Sequence, residues 1–181
     1  MAKRKSIEQV LKEQGGIRLD LGCGDNKQPG FTGLDKRDLP EVDIVHDLEE
    51  FPYPLPDESC LMIMGTHIIE HIKPWLTLQM WDEFWRILKP GGQMALVTPY
   101  GQSEAYIQDP THCNPYNAQT FQYWDWRYPL WEVYKPKPWI TEEGFPIWRV
   151  NGNLEVIMNK VTEEDAKKID KYYDPETLEL L

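Results

Sequence analysis

Two imidazoles and a carboxylate stand close together in the stretch GTHIIEH: His67, Glu70 and His71. If residues 67–71 were helical, the spacing of four would put both histidines on one face. There they could hold a metal ion while the glutamate worked on its water. A second group follows a later apolar run, where DPTHC sets Asp109 and His112 three positions apart in a proline-stiffened turn. Together with Tyr100, these two are the candidates for handling a proton, because such a step needs an imidazole, carboxylate or phenol within hydrogen-bond reach. A third group, RLDLGCGDN, is a glycine turn with Asp20 before it and Asp25 inside it. Glycines at such a place let the backbone turn sharply and let a ligand approach with no Cβ in the way.

Charge decides which ligand suits that turn. A dinucleotide wants G-x-G-x-x-G, so that the following helix meets the pyrophosphate. Here Gly22 and Gly24 are followed by Asp25, Asn26 and Lys27, so the third glycine is absent and an acid would face a phosphate. S-adenosyl-L-methionine carries no phosphate, and its sulfonium and ammonium are cations that Asp20 and Asp25 tolerate. Further on, Asp35 closes the next apolar segment, in GLDK. A carboxylate at the tip of a second strand commonly accepts from both hydroxyls of a ribose.

The elements that must position these groups follow from periodicity and punctuation. Residues 6–14, SIEQVLKEQ, read as a short amphipathic helix capped by Ser6 and stopped by Gly15-Gly16. Short apolar segments at 17–21, 31–35, 42–46, 60–64 and 93–98 are strands. Between the last two lies a helix over about 74–88, with apolar residues at Trp75, Leu78, Trp81, Trp85 and Leu88, opened by Pro74 and ended by Lys89-Pro90-Gly91-Gly92. Residues 99–143 are rich in Pro, Tyr, Trp, Asn and Gln without a clean period, and read as a long structured loop whose tryptophans are chiefly core. FPIWRV and LEVIMNKV flank Asn151-Gly152-Asn153, which predicts an antiparallel hairpin. The chain therefore reads as one domain over 1–161, with 99–143 as an aromatic-rich cover over the acceptor side, and an acidic tail over 162–181.

Bulk properties narrow the class. Three scattered cysteines and no C-x-x-C pair predict reduced thiols. The formal net charge of −11 argues against a surface that follows nucleic-acid phosphates. No apolar run reaches the ~20 residues of a membrane span, and the basic start, followed by a polar helix, does not read as a secretory signal. A cytoplasmic address is expected.

In order along the chain, LDLGCG, GLDK, VHDLEEFPYPLPDESCLMIM, HIIEHI and ILKPGGQMALVTP resemble the class I S-adenosylmethionine-dependent methyltransferases. The similarity is greatest to their short type-11-like bacterial and phage forms, and DPTHCNPYNAQTFQYW resembles a further segment of those forms. The resemblance implies a Rossmann-like α/β methyltransferase fold, mostly parallel, with the antiparallel hairpin at its C-terminal edge. It implies that Asp20, Gly22, Cys23 and Gly24 surround the methionine part of S-adenosyl-L-methionine, and that Asp35, with Lys36 beside it, takes the ribose. It further implies Asp47 and Leu48 at the adenine, and Gly65, Thr66 and His67 as the floor of the cleft. One departure is plain. Only about ten residues separate the first two strands, and the later links are short or proline-rich, whereas parallel neighbours usually need a crossover of about a dozen residues or more. Helices between the first strands should be reduced, with the aromatic segment or a second copy of the chain as cover.

Within that frame HIIEH reads as a helix start rather than a metal site. An inverted zinc peptidase would set the motif inside a longer helix and draw an acidic ligand from a later one. Here the strand CLMIMG runs straight into it and Pro74 follows His71 closely. The expectation is methyl transfer to a small-molecule or sugar-like acceptor (a glycan included), with His112, Asp109 and Tyr100 on the acceptor side and no metal. The alternatives are a non-catalytic methyltransferase-like binding subunit and, further off, an H-x-x-E-H zinc hydrolase.

Overall fold

The computed structural model of the protein describes residues 6–169, so the tail from residue 170 on lies outside the described residues. Its first element, α1 (Ile7–Gln14), begins where Ser6 accepts the Gln9 N–H while the Gln9 side chain accepts from the Ser6 N–H. That reciprocal cap satisfies two of the donors a helix start leaves open. Gly15 ends α1 in the left-handed conformation, at φ 69°.

Eight strands follow: β1 (Ile17–Leu21), β2 (Thr32–Asp35), β3 (Ile44–Val45), β4 (Cys60–Thr66), β5 (Leu88–Pro99), β6 (Trp139–Thr141), β7 (Ile147–Trp148) and β8 (Asn153–Lys160). Their order in the sheet is β3-β2-β1-β4-β5-β8-β6, with β7 also on β8. The first five run parallel. β8 enters antiparallel between β5 and β6 and turns back from β7 through the Asn151-Gly152 bend, where Gly152 sits at φ 84°. This is a Rossmann-like α/β sheet with the expected C-terminal antiparallel hairpin. The strand order reverses between β1 and β4, the switch point outside whose carboxyl ends ligands bind in open α/β sheets.

The one long helix is α2 (Thr77–Ile87), preceded by a 3-10 turn over Pro74–Leu76. It buries Met80, Trp81, Phe84 and Ile87, so of the expected stripe Trp81 and Leu88 are buried and Trp85 is half-buried, while Phe84 and Ile87 widen the buried face. Trp75 and Leu78 are exposed instead, Trp75 at 77%, because Trp75 belongs to the 3-10 turn rather than the helix. Lys89-Pro90-Gly91-Gly92 does not stand apart as a turn but opens β5, and the mismatch is absorbed as a bulge between Cys60↔Leu88 and Met62↔Gln93.

Among the described residues no helix connects β1 to β2, β2 to β3 or β3 to β4. Side-chain clamps hold the helix-free links instead. Lys27 of the β1–β2 link pairs at 2.6 Å with Asp43 of the β2–β3 link, and the Gly33 N–H donates to the same carboxylate at 2.8 Å. Arg86, on α2, donates to the Leu55 and Tyr53 carbonyls, to Asp57 and to Glu83, while Glu83 accepts the Tyr53 N–H at 2.7 Å. A hollow of about 240 Å³ remains between α1 and the β1–β3 side of the sheet, away from every residue picked out above for chemistry.

The 99–143 segment is structured, as its aromatic content predicts. It holds α3 (Glu104–Ile107), 3-10 turns at Thr120–Tyr123 and Pro129–Val133, and then β6. Trp124 stacks on Trp81 at 4.3 Å between ring centroids, with Trp139 and Phe121 edge-on to the same ring. Trp131 packs with Val161 and Ile169 in a second cluster. The short helix α4 (Glu163–Ala166), capped by Thr162, brings Ala166 and Ile169 into the interior, so the chain just past residue 161 is packed. No helix among the described residues is long and apolar enough to cross a membrane.

Candidate functional site

The glycine turn leaves the carboxyl end of β1 with Gly22 at φ 60° and Gly24 at φ 54°, both in the region that L side chains rarely adopt. A Cβ on Gly22 would lie 1.8 Å from Ile68 Cδ1, so the turn is pressed against the segment that follows β4. Asp20 is buried and accepts the Gln28 N–H at 2.8 Å, which closes the loop. Burial pushes its carboxyl above the usual range, against the opposing pull of that N–H and of Lys27. Burial and the neighbouring Asp20 and Asp35 push the Cys23 thiol up to about 11, which keeps it neutral and unsuited to attack.

Asp35 ends β2 with both oxygens occupied. Oδ2 accepts the Gly24 N–H at 3.0 Å and Arg37 Nη2 at 3.2 Å; Oδ1 accepts the Arg37 N–H and Nε at 2.9 and 3.0 Å. Burial alone would raise this carboxyl, but the Arg37 and Gly24 donors outweigh it and leave it lowered. A carboxylate offers about four lone-pair sites, and here all are used. A ribose would therefore have to displace the Arg37 guanidinium, whose side chain is 60% exposed. Lys36, expected beside the ribose, is exposed, and Arg37 takes its place at the carboxylate. The His46 N–H donates to the Asp35 carbonyl at 3.0 Å, which brings Asp47 and Leu48 alongside. Leu48 is buried, and its carbonyl accepts the Tyr53 hydroxyl at 2.9 Å.

The other wall comes from β4 and β5. Gly65 is buried at the end of β4, Thr66 is exposed, and His67 turns the chain at φ 55°. The expected helix is absent: only Ile69–His71 form a 3-10 turn, so His67 and His71 do not share a helical face. Glu70 is instead the hub. It is fully buried, accepts the Thr98 hydroxyl at 3.0 Å through Oε2, and meets His67 Nδ1 at 3.1 Å through Oε1. This carboxylate holds the His67 imidazole above its usual value, against partial desolvation.

The DPTHC segment docks on the same place. The Cys113 and Asn114 N–H groups both donate to the Glu70 carbonyl at 3.0 Å. His112 Nδ1 lies 2.8 Å from the Tyr106 carbonyl, and its Nε2 lies 4.0 Å from Glu70 Oε1 and 3.8 Å from Asp109 Oδ2. Asp109 is held by the Thr111 N–H and hydroxyl, at 2.8 and 2.7 Å. The fold thus joins Asp109 and His112 to His67 and His71 around Glu70. Tyr100 stands apart, its hydroxyl donating to Gln102 at 3.3 Å. Glu70 is the member that sequence reasoning valued least. The signal available for it was an acid in the isoleucine-rich stretch HIIEHI just after a strand, and only the packing shows that it is enclosed.

The sheet order, the antiparallel strand beside β5 and the glycine turn at the switch point together make a Rossmann-like fold, which solved methyltransferases share. No family model matches the chain. Over 81 residues, 44% of the chain, it is 36% identical to a curated Mycolicibacterium smegmatis protein named "Probable S-adenosylmethionine-dependent methyltransferase", and that match spans 30% of the relative's length. Among solved structures, an S-adenosylmethionine-dependent methyltransferase of Archaeoglobus fulgidus superimposes with a TM-score of 0.58 at 18% identity, covering 87% of this chain and 96% of that one. One from Aquifex aeolicus superimposes at 0.53 and 17% identity, over 87% and 91%.

Proposed function

We propose that the protein binds S-adenosyl-L-methionine and transfers its methyl group to a small-molecule or sugar-like acceptor. The observation that carries this reading is the acid-flanked turn over Asp20, Gly22 and Gly24 at the switch point, with Asp35 at the tip of β2. Asp20 faces the region of the ligand's cations, Gly22 and Gly24 leave room against the backbone, and Asp35 takes the ribose once Arg37 swings away. Asp47 and Leu48 flank the adenine, while Gly65, Thr66 and His67 form the floor. The cofactor supplies a methyl carbon bonded to a good leaving group, so the protein's contribution is alignment and the handling of the acceptor's proton. That proton leaves through the group built on Glu70, His112 and Asp109, which closes the cleft from the β4–β5 side. The same reading fits a cytoplasmic enzyme whose aromatic segment helps to frame the acceptor.

Titration calorimetry with S-adenosylhomocysteine tests the cofactor, and transfer of a labelled methyl group into fractionated extract tests the chemistry. A 1:1 complex and a labelled small molecule are expected. No heat with S-adenosylhomocysteine, together with binding of a nicotinamide dinucleotide, would overturn the reading. Binding without label in any fraction would favour a partner subunit that keeps the fold but not the reaction.

A further inference from the structure

We propose that Glu70, His71 and His112 form a binding site for one divalent transition-metal ion beside the cleft. Their ligand atoms all lie within 4.8 Å of one another. Bonds of about 2.0–2.1 Å in tetrahedral geometry put ligand atoms about 3.4 Å apart. Side-chain torsions therefore need to draw the set inwards only by roughly an ångström. The backbones that carry the donors are already joined by the two hydrogen bonds onto the Glu70 carbonyl.

In the neutral rings the hydrogen bonds also fix which nitrogen keeps its lone pair. A carbonyl only accepts, so His112 Nδ1, 2.8 Å from the Tyr106 oxygen, carries the proton and Nε2 keeps its lone pair. The Thr111 hydroxyl spends its single hydrogen on Asp109 at 2.7 Å. His71 Nδ1, 3.0 Å from that hydroxyl oxygen, must then be the donor, which leaves His71 Nε2 unprotonated. Imidazoles locked by a carbonyl on one side and a carboxylate-backed hydroxyl on the other are the arrangement that metal-binding histidines use. Glu70 brings a carboxylate with no exposed surface, and a cation beside it compensates a charge that burial alone would penalise. Cys113 already donates to the His71 and Ile72 carbonyls, at 3.4 and 3.5 Å, and is not part of the set.

Two imidazoles and one carboxylate suit zinc, iron, cobalt or nickel rather than magnesium or calcium, and three protein ligands leave a position open. This site is not the H-x-x-E-H pair. His67 bonds to Glu70, and the second imidazole arrives from the DPTHC segment. Metal binding stands without the methyl-transfer reading, but its role rests on it. An acceptor hydroxyl at the open position would give up its proton more readily, and Asp109, whose Oδ2 lies 3.8 Å from His112 Nε2, is the member of the group left to take it. The acceptor oxygen then bonds to the methyl carbon as the carbon–sulfur bond breaks, and the sulfur keeps the electron pair.

The test is titration of chelator-treated full-length protein with cobalt(II), read by its visible absorption, and with zinc by calorimetry. One ion per chain is expected, with affinity at least about tenfold weaker in Thr111→Val, which keeps all three ligands but unlocks His71. His71→Ala and His112→Ala should lose the cobalt spectrum, with thermal unfolding of the metal-free forms showing that each still folds. Absence of a cobalt spectrum and of zinc heat in the parent would overturn the proposal, as would unchanged binding in both histidine variants. S-adenosylhomocysteine titrated into the same samples keeps the two readings apart: metal without cofactor binding retains this site and removes the methyl-transfer reading, and the converse removes this site alone.

Discussion

Asp35 and Arg37 set the residue-scale question, because the carboxylate that should meet a ribose is saturated by its neighbour two positions on. Removing the acceptor and removing the competitor should act in opposite directions. Asp35→Ala should weaken S-adenosylhomocysteine binding by about 1–3 kcal/mol, the cost of an unmade charged hydrogen bond. Arg37→Ala should tighten it by about two- to fivefold, the value of an exposed ion pair that no longer has to be broken. Calorimetry on both variants checks the pair, and no tightening in Arg37→Ala would mean that Arg37 is not displaced. On the acceptor side, His112→Ala should slow turnover by about a hundredfold or more and leave cofactor affinity nearly unchanged, as expected for a group that serves the acceptor rather than the cofactor. Single-turnover rates with labelled cofactor separate these quantities. Asp20, Asp35 and His112 could be picked out in the sequence because their chemistry is local to short motifs. Glu70 also stands out there, but not its role as hub, because that comes from being enclosed by Thr98 and His112, which are remote along the chain.

At the scale of elements, the links without helices are the unusual feature, and Arg86 with Glu83 is their main fastening. Burial pulls the Glu83 carboxyl up, but the Arg86 guanidinium and the Tyr53 N–H outweigh it and leave it below its usual 4.5. A carboxyl lowered on folding contributes stability that is complete above the unfolded value and lost as pH falls through the folded one. Glu83→Gln should therefore flatten the loss of stability as pH falls below the usual carboxylate range, as followed by urea unfolding at a series of acidic pH values. Arg86→Ala should cost about 1–3 kcal/mol at neutral pH by leaving Glu83 without its partner. The glycine turn makes a sharper demand. Gly22→Ala should destabilise the fold by about 2–4 kcal/mol, combining left-handed strain with the collision against Ile68. Ile68→Ala in the same chain should recover only the second part.

Across the whole molecule, one interior runs from the parallel strands through α2 into the aromatic segment, and Trp81, Trp124 and Trp139 are all within it. A surface loop of that length would exchange its amide hydrogens freely, but this one shares the core. Backbone amides around Tyr116, Phe121 and Trp139 should thus be protected nearly as long as those of β4 and β5, measured by hydrogen exchange. Trp124→Ala should cost about 3–5 kcal/mol, as the loss of a large buried ring does. Those energies belong to packing, and they place the tryptophans with structure rather than with acceptor binding.

By itself the amino-acid sequence determined the first five strands, the hairpin at Asn151-Gly152, the capped first helix and the acid-flanked glycine turn, but not β6, which lies inside the segment read as a loop. Each is written in a few neighbouring residues, through alternation, turn chemistry or local charge. Only the tertiary structure decided that HIIEH ends in a 3-10 turn rather than a helix, that Trp75 and Leu78 stay outside the face α2 buries, and that Arg37 covers Asp35. It alone brought His112 to Glu70 and His71. These depend on which distant segments share a volume, and pairing across space leaves no period in a chain for a reader to follow.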